Sequence, residues 1–135
     1  FTKIPGGLPG VETRGNLILS EGAGKGRITM PCACRVLSEN ASKLYGLYPK
    51  KGVIMEGSDA DLVIFDPSGD KLLTKEGQLT NTDYNPYEGM NLKGCISGVY
   101  LRGKLCVRDG RLIRRGCGQF IKRKRPDYVH EEGLA

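Results

Sequence analysis

The stretch from Lys50 to Pro67, KKGVIMEGSDADLVIFDP, constrains the fold more than any other part of this chain. Within it Leu62-Val63-Ile64-Phe65 joins aliphatic, β-branched and aromatic residues, the composition that favours a strand. Gly57-Ser58-Asp59 supplies a turn leading in, and Asp66-Pro67-Ser68-Gly69 is expected to end the strand. Upstream the text reads helical; downstream it reads as short strands and hairpins. The stretch is therefore a border between two kinds of structure.

On the helical side, Val11, Leu17, Ile18 and Leu19 suit a helix over Val11–Glu21, weakened at Gly15 and stopped by Gly22. Thr29 is positioned as an N-cap ahead of Pro31, and Met30, Cys34 and Leu37 form the apolar face of a short helix. A second short helix, Ala41–Tyr45, is expected with Asn40 as its cap and Gly46 as its stop. On the strand side, a weaker strand is expected around Lys71–Thr74, followed by a polar loop over Thr80–Asn91. Val99–Arg102 and Leu105–Arg108 should pair as a hairpin around Gly103-Lys104, and Asp109-Gly110 should turn the chain into Arg111–Ile113. Beyond Gly116 periodicity is lost and the text reads as an arm.

Composition narrows the function classes. The 20 glycines in 135 residues are about twice the usual share of roughly 7%, which fits a turn-rich domain. The apolar runs fall far short of the ~18 residues of a membrane span, and no leader of secretory type is visible. The five cysteines are odd in number and scattered, as in a cytoplasmic protein with reduced thiols. The net charge of +6 gathers at Arg111, Arg114, Arg115 and Lys122–Arg125. No aromatic recognition motif accompanies it, so a solvated or subunit-docking tail is expected rather than a nucleic-acid site.

Catalytic groups are sparse. Gly22-Ala23-Gly24-Lys25-Gly26 fails as a phosphate loop because Leu19 and Gly26 stand where that motif needs Gly and a hydroxyl. The sole histidine, His130, lies five residues from the end, and no ligand-spaced cluster suggests a metal site. Asp59 and Asp61 read as turn and strand-entry residues rather than an acid–base pair. Composition and spacing thus yield an α+β chain with no catalytic residue of its own.

Four passages carry a family resemblance. Lys50–Pro67 resembles the segment by which metal-dependent cyclic amidohydrolases leave a catalytic barrel and enter a small β-sandwich. The opening Phe1–Arg14, FTKIPGGLPGVETR, is similar to the loop and helix after the last barrel strand of dihydropyrimidinases and D-hydantoinases. Asp83–Met90, DYNPYEGM, resembles their Tyr/Phe-Glu-Gly-Met motif, and Gly116–Arg123, GCGQFIKR, the start of their C-terminal arm.

The resemblance implies an α+β fragment: the last helices of a (β/α)8 amidohydrolase barrel over residues 1–50, strands of the β-sandwich over 51–114, and a basic arm over 115–135. A whole barrel needs about 250 residues, and the chain opens on Phe1 without Met. The reading is therefore of a piece of an enzyme that opens dihydropyrimidines or hydantoins to N-carbamoyl amino acids. Two zinc ions per subunit would be held by ligands upstream, leaving the fragment alone inactive. In the family's form of the first loop an Asn contacts the substrate ring through its backbone, and Gly6 stands at that position. Ala41 replaces a common Pro, and Gly15 a larger residue. A homotetramer joined through the arm is implied, with a small cyclic amide as substrate, no membrane and a cytoplasmic location. The other reading is a metal-free relative serving assembly or signalling, as the collapsin-response mediators do.

Overall fold

A computed structural model describes residues 7–126. Those residues divide into two compact units. One holds the chain up to Thr29 together with Asp66–Cys95; the other holds Met30–Phe65 together with the chain from Ile96 onward.

The first unit begins with helix α1, Arg14–Leu17, which widens into π geometry over Ile18–Gly24. The helix therefore starts later than the apolar spacing suggests and passes Gly22. Val11 lies outside it and is exposed, whereas Leu19 is buried. Lys25 pairs with Glu21 at 2.7 Å, one turn away. The core of this unit holds Leu19, Leu73 and Leu92 with the buried polar residues Thr13, Asn16, Ser20 and Asn85. Ser20 Oγ is satisfied by the backbone N–H of Lys93 at 2.9 Å, as burial of a hydroxyl requires.

In the second unit α2 spans Met30–Cys34, starting one residue after Thr29. It continues through a π segment, Arg35–Glu39, directly into α3, Asn40–Leu44. Asn40 is thus not a cap. Its φ and ψ of −63° and −41° are helical, and one continuous helix replaces the two expected. The expected apolar face is also displaced: Met30 and Cys34 are exposed, Leu37 is half-buried, and the buried positions are Ala33 and Ser42. Wide turns add a residue per turn and rotate the face that a regular 3.6 period would bury. Gly46 ends α3 as expected, in left-handed geometry at φ +66°.

Four strands form one sheet in the order β1-β2-β3-β4: Leu62–Leu72, Asn91–Leu101, Lys104–Arg108 and Arg111–Leu112. The pairs β2–β3 and β3–β4 are antiparallel. The expected stop at Asp66–Gly69 and the separate strand near Lys71 are both corrected, because β1 runs through without interruption. Pro67 is tolerated since β1 is an edge strand, where a missing N–H costs little. Gly69 is there for space, as a Cβ would stand 2.5 Å from Cys95 Sγ. Asp66 keeps its turn chemistry locally, accepting from the Ser68 N–H at 2.9 Å and hydroxyl at 2.6 Å.

The hairpin turns follow from backbone sign. Leu101 pairs with Lys104, so the loop is Arg102-Gly103, one residue earlier than expected. Arg108 pairs with Arg111 around Asp109-Gly110, as expected. All four loop residues have positive φ, 47° and 73° in the first and 47° and 74° in the second. That is the two-residue turn whose twist matches the strands. A bulge between Val99 and Tyr100 shifts the first register.

Candidate functional site

The loop before α1 is held by the polar segment before β2. Glu12 accepts the backbone N–H of Leu79 at 2.9 Å and of Thr80 at 2.9 Å. The Tyr84 hydroxyl donates to the Gly7 carbonyl at 3.4 Å. Within the loop, Thr13 is 2% exposed and its hydroxyl reaches the Gly10 carbonyl at 3.5 Å. A glycine-rich loop has little rigidity of its own, so these external bonds set its course. Gly6, the position matched to a substrate contact, lies outside the described residues. Its neighbour Gly7 is the carbonyl that Tyr84 holds.

The Tyr-Glu-Gly-Met passage proves to be a joint. Asn85 Oδ1 accepts the Tyr87 N–H at 3.0 Å, and Glu88 accepts the Lys75 N–H at 2.8 Å. Gly89 donates to the Leu73 carbonyl at 2.9 Å, and the Leu73 N–H returns to Met90 at 2.9 Å. These bonds fix the entry to β2, while the buried Asn85 Nδ2 has no hydrogen-bond partner. The acidic pair of the border stretch is likewise structural. Lys51 Nζ lies 2.8 Å from Asp59 Oδ2 and also bonds Asp61, while Lys50 reaches Asp59 at 3.0 Å. Lys51, then Lys50, holds the Asp59 carboxyl below the ordinary carboxylate range. Burial pulls Lys51 down, and its bonds to the two carboxylates outweigh this and raise it. Both carboxylates are therefore engaged in ion pairs that fasten the turn to Lys50 and Lys51.

In the second unit an open cleft is bordered by Leu62, Val63, Tyr100 and Leu112, with Arg115 and Cys117 from the chain beyond β4. Cys106 and Cys117 meet there with sulfurs 3.6 Å apart. Burial, then the hydrogen bond with Cys117, pushes the Cys106 thiol up. Sequence spacing gave no sign of this pair, since the two cysteines are separated by ten residues and are brought together only by the β3–β4 turn. Glu12 and Tyr84 were equally silent: each lies inside a recognisable passage, but its partner is more than sixty residues away in the chain.

Among the described residues no group of three His, Cys, Asp or Glu side chains could hold a metal ion. A metal centre does not fit those described residues, and His130 lies outside them. Among the same residues no helix is long and apolar enough to cross a membrane.

The model of the amidohydrolase family matches residues 18–106. The D-hydantoinase of Geobacillus stearothermophilus is 46% identical over 124 residues, which cover 91% of this chain and 26% of that protein. The crystal structure of D-hydantoinase from Bacillus sp. AR9 superposes with a TM-score of 0.87 at 44% identity, covering 94% of this chain and 28% of that one. D-hydantoinase (dihydropyrimidinase) from Thermus sp. gives a TM-score of 0.86 at 42% identity, over 91% of this chain and 27% of that one. The chain thus spans about a quarter of the length of the curated relatives it matches. Matched over most of its own length and in order, the chain belongs to the amidohydrolase family, and its resemblance within it is to the D-hydantoinases.

Proposed function

We propose that this chain is the C-terminal part of a cyclic amidohydrolase that hydrolyses the ring amide of 5,6-dihydropyrimidines or hydantoins to N-carbamoyl amino acids. The observation that carries the reading is the 46% identity to a D-hydantoinase across 91% of the chain. A metal-free assembly protein is not favoured, because the similar proteins are named as hydantoinases.

The amidohydrolase family is metal-dependent, and a zinc pair supplies the hydrolytic water in this reading. Its ligands belong to parts of the polypeptide outside these residues. The chain's own contribution is binding and positioning. Residues 1–50 close a (β/α)8 barrel, 51–114 supply strands of a β-sandwich, and 115–135 form an arm that joins subunits of a cytoplasmic homotetramer. Gly6 presents its backbone to the substrate ring, and Glu12 and Tyr84 hold the loop that carries it. The exposed Met30, Val36 and Leu44 fit this reading, since helices of a barrel bury such residues against neighbouring helices and strands.

A chimaera tests it, in which this chain replaces the matching quarter of the Geobacillus D-hydantoinase. The chimaera is expected to open hydantoin within about tenfold of the parent rate, ~1.4 kcal/mol in barrier, while the chain alone shows no turnover. A folded but inactive chimaera, or an active isolated chain, overturns the proposal.

A further inference from the structure

Cys106 and Cys117 are placed for chemistry that the amide-hydrolysing reaction does not use. Cys106 sits on β3 and is 8% exposed; Cys117 is half-buried on the segment beyond β4. Their sulfurs are 3.6 Å apart, already in hydrogen-bond contact. Backbone bonds bracket the pair. The N–H groups of Ile113 and Arg114 both donate to the Cys106 carbonyl, at 2.8 and 3.2 Å, and the Arg102 guanidinium donates to the Cys117 carbonyl. Gly116, at φ +68°, turns the chain immediately before Cys117. Gly118 beyond it has open space where a Cβ would stand. A bonded S–S distance is about 2.05 Å, so closure asks the sulfurs to approach by about 1.5 Å. A cysteine between two glycines makes that movement with little backbone strain.

We propose that Cys106 and Cys117 form a reversible disulfide that latches the start of the C-terminal arm to strand β3 under peroxide stress. Both cysteines line the open cleft and Cys117 is the more exposed, so a peroxide as small as hydrogen peroxide reaches it first. The Cys117 thiolate attacks one peroxide oxygen. An S–O bond forms and the O–O bond breaks, and the departing hydroxide takes up the Cys117 proton as water. The Cys106 sulfur then attacks Cys117. The S–S bond forms, the S–O bond breaks, and hydroxide leaves with the Cys106 proton as a second water. Two thiols lose two electrons in total, and one peroxide is reduced to two waters. Burial favours the neutral form of Cys106, which leaves the more exposed Cys117 to meet the peroxide. A third and fourth soft ligand are absent among the described residues, which disfavours a metal at the same pair.

The test treats the full chain with about one equivalent of hydrogen peroxide, blocks free thiols and digests with trypsin without reduction. The expected product joins Leu105–Arg108 to Gly116–Lys122, two hydrogen masses lighter than the separate peptides and reversed by dithiothreitol. Oxidation should also raise the thermal midpoint by on the order of 5 °C, and Cys117→Ser should abolish that rise while leaving the reduced midpoint unchanged. Recovery of both peptides singly blocked or over-oxidised overturns the proposal. So does linkage spread evenly over Cys32, Cys34 and Cys95, or a rise that persists in Cys117→Ser.

Discussion

Asp61 Oδ1 accepts the backbone N–H of Arg102 at 2.8 Å, across 41 residues of sequence. The first residue of the hairpin turn is thereby tied to the entrance of β1. The neighbouring N–H of Gly103 donates to the Ala60 carbonyl at 2.8 Å, so the turn is held at two consecutive donors. Arg102 is a non-glycine at φ 47°, a conformation that costs free energy unless its surroundings impose it. Asp61→Ala is expected to lower stability by about 1–2 kcal/mol, and Asp61→Asn, which keeps an acceptor, by roughly half as much. Urea midpoints of the two variants check the ordering; equal losses would assign the effect to the Lys51 ion pair instead.

Asp59 sets an acid limb to the stability. Its carboxyl is held below the ordinary value of 3.8 by Lys51 and Lys50. A depressed carboxylate contributes stability that is fully present above its unfolded pKa and lost as pH falls through the folded one. The unfolding midpoint should therefore be steady above that ordinary value and decline below it. Asp59→Asn should show a shallower decline over the same range in urea titrations.

Gly46 is the second position where the backbone leaves no alternative. Its φ is +66°, and a Cβ would overlap the carbonyl of Lys124, whose N–H donates to the Gly46 carbonyl at 2.8 Å. Gly46→Ala should cost at least about 2 kcal/mol. The substitution should also expose the Lys122–Arg125 segment to limited trypsin digestion. Unchanged cleavage with lowered stability would show that the strain is relieved within the helix end.

Glu12 acts on the loop that precedes α1. Replacing it with Ala removes an ionised acceptor from two backbone donors, a loss of about 1.5–3 kcal/mol where such bonds are well formed. In the active chimaera, Glu12→Ala is expected to raise KM severalfold with a smaller change in kcat. A change confined to kcat would place the residue's influence on the reacting atoms instead.

The contrast between Asp109-Gly110 and Arg102-Gly103 shows what was legible in the sequence. The first turn was readable because Asp-Gly supplies both left-handed residues by chemical type. The second slipped by one position because nothing about Arg announces positive φ; the strand register and Asp61 impose it. Likewise β2 is longer than its hydrophobic text, since Gly94, Cys95, Ser97 and Gly98 have weak strand preferences. Pairing with neighbours, not propensity, carries those residues into the sheet.

By itself the sequence determined the kind of chain this is. Leu62–Phe65, the glycine-rich opening and the Tyr-Glu-Gly-Met passage are local texts, and local texts survive as family marks and element seeds. Tertiary structure alone decided how far each element runs and what its polar groups do. It carried β1 through Pro67, fused the two short helices across Asn40, gave Glu12 and Asp61 their distant partners, and brought Cys106 to Cys117. The physical reason is common to all four. A hydrogen bond, an edge position or a thiol contact depends on distance in space, and distance along the chain does not report it.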